Sequence, residues 1–242
     1  MTFYSNIASY YNRIFPFDEE LVDFIRGLIP RESGKILDVG CATGALVNAL
    51  GQSGHEVIGI DLDPEMIRFA KKYQNSRISF QMGDMLQLKN LFSPDEFLAV
   101  ACFGNTLVHL PNASSIEEMF SQVFSILQPG GVFIGQIIHY DRIIGEHLQG
   151  LPTIEREGIR FERLYLYQKD DPRLVFKTTL TDLKSGQSRL NEVLLYPLTS
   201  PELSFALKKA GFDDFKFFED TDRKALSEKS YALYFAAEKP TE

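Results

Sequence analysis

The chain has 242 residues, room for one substantial domain with its own core but crowded for two. Hydrophobic residues make up 44% and charged residues 24%, the balance of an ordinary globular protein, and no apolar run approaches the roughly 20 residues needed to span a membrane. A net charge of -8 without any block of Lys and Arg disfavours a nucleic-acid partner, which needs a basic face. Residues 1–13 lack a basic start followed by an apolar stretch, so no secretory signal is expected. Cys41 and Cys102 sit in apolar runs without metal-ligand spacing; a cytoplasmic, disulfide-free protein without a metal site is the expectation.

In chain order, Leu21, Phe24, Ile25 and Leu28 fall at helical spacing, which makes 1–34 an N-terminal helical region. Residues 35–39 form a short apolar strand ending in a Gly-containing turn. Ala45, Leu46, Ala49 and Leu50 fit a helix closed by Gly51 and Gly54. A second strand is predicted over 56–60, then a helix with Asp63 as N-cap and Pro64 at its first position. Residues 78–82 read as a third strand and 97–103 as a fourth, apolar on both faces as in a buried parallel sheet. Ile116, Met119, Phe120, Val123, Phe124 and Leu127 form one helical stripe, with Ser114 and Glu117 as its capping box and Pro129-Gly130-Gly131 as its stop. A fifth strand covers 132–138.

This alternation predicts a Rossmann-like, doubly wound α/β fold with a mainly parallel seven-stranded sheet. The cofactor-binding core spans 35–139. The runs 158–168, 174–183 and 189–198, with a hairpin turn at 184–187, mark an antiparallel β insert over about 140–198, placed on the main sheet. Residues 199–242 supply a helix from Thr199 to near Gly211 and two final strands, 212–219 and 231–238, that complete a single domain.

The first strand and turn read Asp38-Val39-Gly40-Cys41-Ala42-Thr43-Gly44. Small residues at such a turn let backbone approach a ligand, and the helix start beyond it can offer N–H groups to a carboxylate. The dinucleotide spacing G-x-G-x-x-G fits poorly, because its positions hold Gly40, Ala42 and Ala45. The spacing D-x-G-x-G-x-G is met at Asp38, Gly40 and Gly44, with Ala42 in the middle. Asp61 ends the second strand, where a carboxylate can accept from both hydroxyls of a ribose. Gly83-Asp84-Met85 follows the third strand, suited to an adenine, and Cys102-Phe103-Gly104-Asn105 follows the fourth. All four turns lie at carboxyl ends of parallel strands, where open α/β sheets bind ligands.

Over Ile36 to about Tyr140 the chain resembles the class I S-adenosylmethionine-dependent methyltransferases, most clearly in ILDVGCATG, VIGIDLDPEMI, ISFQMGDM and LQPGGVFI. The resemblance implies S-adenosylmethionine as cofactor and a small-molecule methyl acceptor. It implies that Gly40, Ala42 and Gly44 flank the methionine part, with Asp38 and Cys41 beside them. Asp61 would hold the ribose; Leu62, Met66, Gly83, Asp84 and Met85 the adenine; Cys102 and Phe103 the wall after the fourth strand. An N-terminal tyrosine lies over the cofactor in such proteins, and Tyr11 matches, with Tyr10 as rival and Asn12 where aspartate is usual.

CFGNTLVHLPN and HYDRII resemble the glycine and sarcosine N-methyltransferase branch. That likeness puts Asn105, His109, Ile138 and Tyr140 by the acceptor. Ile138 stands where the branch has a carboxylate-binding arginine, which implies a less polar or differently charged acceptor. His109 and His139 are the candidates for a general base, or are structural histidines. The aromatic insert, with Phe161, Tyr165, Tyr167, Phe176 and Tyr196, covers the site as a lid or forms a homodimer face, or simply packs. Alternatives are a nicotinamide-dependent dehydrogenase and a non-catalytic protein that holds the cofactor as a sensor. A nucleic-acid amino-methyltransferase would need Asn/Asp-Pro-Pro-aromatic where Cys102-Phe103-Gly104-Asn105 stands.

Overall fold

The computed structural model describes residues 4–30 and 34–241; residues 1–3 and 31–33 of the expected N-terminal region, and 242, lie outside the described residues. A 3-10 turn at Ala8–Tyr10 leads into α1 (Tyr11–Ile14) and α2 (Glu20–Arg26). Then β1 (Lys35–Val39), α3 (Ala45–Gln52), β2 (Glu56–Asp61), α4 (Pro64–Ala70), β3 (Ile78–Met82), α5 (Leu88–Leu91), β4 (Phe97–Cys102), α6 (Ala113–Ile126) and β5 (Leu127–Ile138) alternate as predicted. After α7 (Tyr140–Gly145) come four strands, β6 (Gly150–Arg156), β7 (Ile159–Leu166), β8 (Leu174–Asp182) and β9 (Ser188–Leu195). The chain closes with α8 (Ser200–Ala210), β10 (Asp214–Phe218) and β11 (Ala232–Glu238).

The main sheet has seven strands in the order β10-β11-β5-β4-β1-β2-β3. All neighbours are parallel except β11, which runs against both β5 and β10. β1 lies between β4 and β2, so the chain winds outward in both directions from the β1/β4 boundary, the switch point at which such sheets open a crevice. Period-2 alternation divides the core between the two faces. Phe133 and Ile137 of β5 pack with Phe120 of α6 and Leu207 of α8, while Val132 and Ile134 belong to the cluster of Val47 and Leu50 from α3.

Three local readings are corrected. Asn112, extended at φ -167, caps α6 by accepting from Ser115 N at 2.9 Å; Ser114 lies inside the first turn, and Glu117 instead pairs with Lys209 of α8 at 2.7 Å. Pro129-Gly130-Gly131 does not end that helix but forms the irregular start of β5, where the pairing with β4 shifts register between Phe97 and Ala99. The insert is a separate four-stranded antiparallel sheet, β6-β7-β8-β9, rather than an addition to the main one. Its first strand escaped the sequence reading because Pro152 interrupts it, and proline is tolerated there only because β6 is an edge. No helix among the described residues is long and apolar enough to cross a membrane.

Phe133 is fully buried between the rings of Phe120, Phe235 and Phe212, with centroids 5.1, 5.0 and 6.0 Å away. Removing it leaves a cavity that the β5 backbone cannot fill. Phe133→Ala is therefore expected to lower stability by about 3–5 kcal/mol, read from denaturant unfolding. A loss under about 1 kcal/mol would show that this aromatic layer is not the core of the sheet.

Candidate active site

The turn after β1 is wound tightly. Gly40 and Cys41 both donate N–H to Ile60 O at 2.9 Å, and Gly44 N donates to Cys41 O at 2.9 Å. Gly40, Ala42 and Gly44 have φ of 76, 47 and 80°, the left-handed region that glycine occupies without strain. A Cβ on Gly40 would stand 2.5 Å from Thr106 Cγ2, so the turn presses directly on the segment after β4. Asp61 completes the lock: Oδ2 accepts from Ala42 N and Oδ1 from Asp63 N, each at 2.9 Å. The N–H groups of residues 40, 41, 42 and 44 are thus used within the fold.

Two adjoining cavities occupy the crevice. One, of about 280 Å³, is walled by Asp61, Leu62 and Met66 after β2 and by Gly83, Asp84 and Met85 after β3. Thr106 and His109 form its far side, and Tyr4 and Val193 close it from above. The other, of about 230 Å³, is lined by Asp38, Cys41 and Phe103. Tyr11, Gly40, Ala42 and Gly104 belong to both, so Tyr11 stands at their junction. Tyr10 lines neither cavity and lies beneath the guanidinium groups of Arg13 and Arg189 at 5.3 and 5.2 Å. Gly44 shapes the turn without lining a cavity; a Cβ there would strike the Phe80 ring at 2.7 Å. Cys102 is wholly buried in the core.

The expected acceptor wall is largely a supporting frame. Asn105, at φ 68°, accepts from Ile138 N with Oδ1 and donates to the Tyr140 hydroxyl with Nδ2, both at 3.0 Å. Ile138 and Tyr140 are buried in the core cluster and line neither cavity. Their placement corrects the expectation of direct contact: Asn105 ties the turn after β4 to the end of β5. His139 lies elsewhere, its Nδ1 on Ser230 O at 3.2 Å and its Nε2 3.4 Å from Asp141 Oδ2, outside both cavities. That position does not support a catalytic role. Only His109 reaches the crevice, its Nε2 sharing a 2.7 Å hydrogen bond with the Tyr4 hydroxyl. Burial depresses its pKa to about 4, so the ring is neutral near pH 7.

Sequence reasoning missed Tyr4, Thr106 and Val193. Thr106 was signalled only by its place after Asn105, while Tyr4 and Val193 come from segments with no motif. The N-terminal stretch is held down by Ser5 Oγ donating to Asp63 Oδ2 and by Asn6 Nδ2 donating to Asn191 Oδ1, each at 2.7 Å. Thr43 Oγ1 also donates to Asn12 Oδ1, which gives the unusual Asn12 a structural task.

The crevice is acidic. Asp38, Asp61, Asp63 and Asp84 border it, and among the described residues no Lys or Arg lines either cavity. Burial, and next the charge of Asp61, push Asp38 up to about 7; burial likewise raises Asp61. A pyrophosphate would meet repulsion here, whereas a cation would relieve the strain of two buried carboxylates.

Residues 36–131 match the family model of the methyltransferase domain. Over that stretch, two fifths of its length, the chain is similar to methyltransferase domains. A ubiquinone biosynthesis O-methyltransferase of Xylella fastidiosa (strain 9a5c) is 32% identical over 120 residues, 48% of this chain and 47% of that one. The chain thus spans about half the length of the first curated relatives it matches. The fold of the CcbJ methyltransferase from Streptomyces caelestis is similar at a TM-score of 0.83 and 19% identity, over 99% of this chain and 98% of that one. The amino pentose methyltransferase CalS10 from Micromonospora echinaspora, solved with S-adenosylmethionine bound, is similar at 0.70 and 21%, over 98% of each chain. S-adenosylmethionine is the cofactor that this similarity supports, and its sulfonium and ammonium charges suit the acidic crevice.

A cation beside Asp38 favours its ionised form. The free protein must give up the Asp38 proton to bind one below about pH 7, so cofactor affinity is expected to fall as pH drops from 8 to about 5.5, approaching tenfold per pH unit below about pH 7. Titration across that range checks this, and a pH-independent affinity would remove Asp38 from the binding site.

Proposed function

We propose that the protein is an S-adenosylmethionine-dependent methyltransferase that alkylates a small molecule, with nitrogen favoured over oxygen as the accepting atom. The observation that carries it is the acidic crevice at the switch point, bordered by the turns after β1, β2, β3 and β4 together. When bound, S-adenosylmethionine supplies a methyl group already activated on a sulfonium. In this reading Gly40, Ala42 and Asp38 hold the methionine part, with Gly44 setting the turn. Asp61 accepts backbone N–H groups from Ala42, Asp63 and Leu62, and a carboxylate with about four lone-pair sites can still accept from a ribose hydroxyl. Leu62 is 66% exposed at the rim, and with Met66, Met85 and the Asp84 turn it would cover the adenine. Tyr11 stands between the two cavities, over the reacting centre.

The chain's main contribution is position. Methyl transfer requires the nucleophile in line, and holding it so supplies several kcal/mol of the barrier reduction. The choice of nitrogen follows from His109. An imidazole whose pKa lies at about 4 is too weak a base to strip a hydroxyl, but a neutral amine needs no such help. His109 and Tyr4 would orient the neutral amine, and the methylated ammonium would keep its proton until it loses it to water on release. The relatives include an O-methyltransferase by name and the similar folds an amino pentose methyltransferase, so both directions occur among them. The net charge of -8 supports a small acceptor over a nucleic acid.

Release of S-adenosylhomocysteine, measured across matched panels of amines, alcohols and phenols, tests the reading. Turnover is expected with amines. Turnover confined to hydroxyl acceptors would overturn the choice of nitrogen, and tight cofactor binding without any turnover would favour a sensor.

A further inference from the structure

The inner face of the insert sheet carries an unusual row. Arg163 of β7 lies opposite Thr178 of β8, and Thr178 lies opposite Asn191 of β9. All three point to the same side as the buried Phe161, Tyr165 and Leu180, toward the rest of the domain. Thr178 is 1% exposed and Asn191 9%, yet Thr178 Oγ1, Asn191 Nδ2 and Arg163 Nε are buried without a hydrogen-bond partner among the described residues. Buried polar atoms left so are rare and costly, and three on adjacent strands of one face point to a shared partner. The Arg163 guanidinium donates at its other end to Pro152 O, and no described carboxylate pairs with it.

The row adjoins the crevice. Tyr165, Phe176 and Val193 form the next row on the same face, and Val193 roofs the cavity that holds Asp61 and His109. Two residues along a strand span roughly 6.6–7 Å, so Asn191 sits one pleat beyond the roof. The Tyr165 hydroxyl, beside that of Tyr140, extends the polar surface. The chemistry of the row is one-sided. Asn191 Oδ1 is occupied by Asn6 Nδ2, which leaves its N–H groups facing the row, and Arg163 Nε–H can only donate. One cationic N–H donor and one amide N–H donor, with a hydroxyl between them, match a single carboxylate.

We propose that Arg163, Thr178 and Asn191 form the recognition subsite for the methyl acceptor and that the acceptor bears a carboxylate set back from its reacting atom. This rests on the methyltransferase reading. It supplies from the insert the positive charge that Ile138 cannot provide, at a greater distance from His109. Asn6 and the segment around it cover the row, so the acceptor enters before that segment settles on Asn191.

Calorimetric titration of the protein loaded with S-adenosylhomocysteine tests the proposal, with glycolate, benzoate and 4-hydroxybenzoate as probes against their primary amides. Carboxylates are expected to bind, the amides at least about tenfold more weakly, and Arg163→Gln to lose about tenfold or more while Arg163→Lys keeps part of the binding. Thr178→Val and Asn191→Leu should weaken carboxylate binding, and Thr178→Val, which breaks no bond to the N-terminal stretch, should do so without changing the affinity for S-adenosylhomocysteine. If no carboxylate binds, or carboxylates and amides bind alike, the subsite is wrong. Apolar variants that raise the melting temperature and leave carboxylate binding intact would show an ordered water only. Failure of S-adenosylhomocysteine itself to bind would instead sink the methyltransferase reading, and this proposal with it.

Discussion

One carboxylate holds the crevice in shape. Asp61 grips Ala42 N with one oxygen and Asp63 N with the other, so the turn after β1 and the turn after β2 cannot move independently. The left-handed Gly40 and Ala42 exist in that conformation because Ile60 O and Asp61 take their N–H groups. Asp63 in turn caps α4 through Glu65 N and Met66 N, and receives Ser5 from the N-terminal stretch. Asp61 thus orders the turn after β2 at one end of the crevice and, through Asp63, the segment that covers it. Hydrogen bonds of this charged kind are stronger than neutral ones, which offsets part of the cost of keeping the carboxylate buried.

Charge then selects what the crevice admits. The same fold class serves dinucleotides elsewhere, with anion-binding glycines at the first turn. Here several carboxylates and, among the described residues, no lining cation surround the space, and burial with the neighbouring Asp61 pushes Asp38 up to about 7. A ligand that brings positive charge stabilises this arrangement; one that brings phosphates opposes it. Fold and electrostatics agree on a sulfonium cofactor.

The parallel half of the fold was legible in the sequence because its strands are short, largely apolar segments followed by turn residues, and because Asp63 and Thr199 sit where N-caps must. The lining of the crevice was legible for the same reason: most of its residues lie in the turns that end those strands. Asn105 and Tyr140 were placed near the right spot but in the wrong role, since their side chains bond each other and the β5 backbone rather than facing the crevice. His139 misled because adjacency in sequence to Ile138 says nothing about which way the chain turns into α7. Tyr4, Val193 and the Arg163 row were illegible. Their position depends on how the N-terminal stretch and the insert sheet fold back, a tertiary contact that no local spacing encodes.

The most direct test of the central claim is calorimetric titration with S-adenosylmethionine above pH 7, with Asp61→Ala as control and NAD as competitor. Micromolar binding that is lost in Asp61→Ala and untouched by NAD is the predicted result. Binding of NAD in its place, or S-adenosylmethionine binding unaffected by loss of Asp61, would contradict the account.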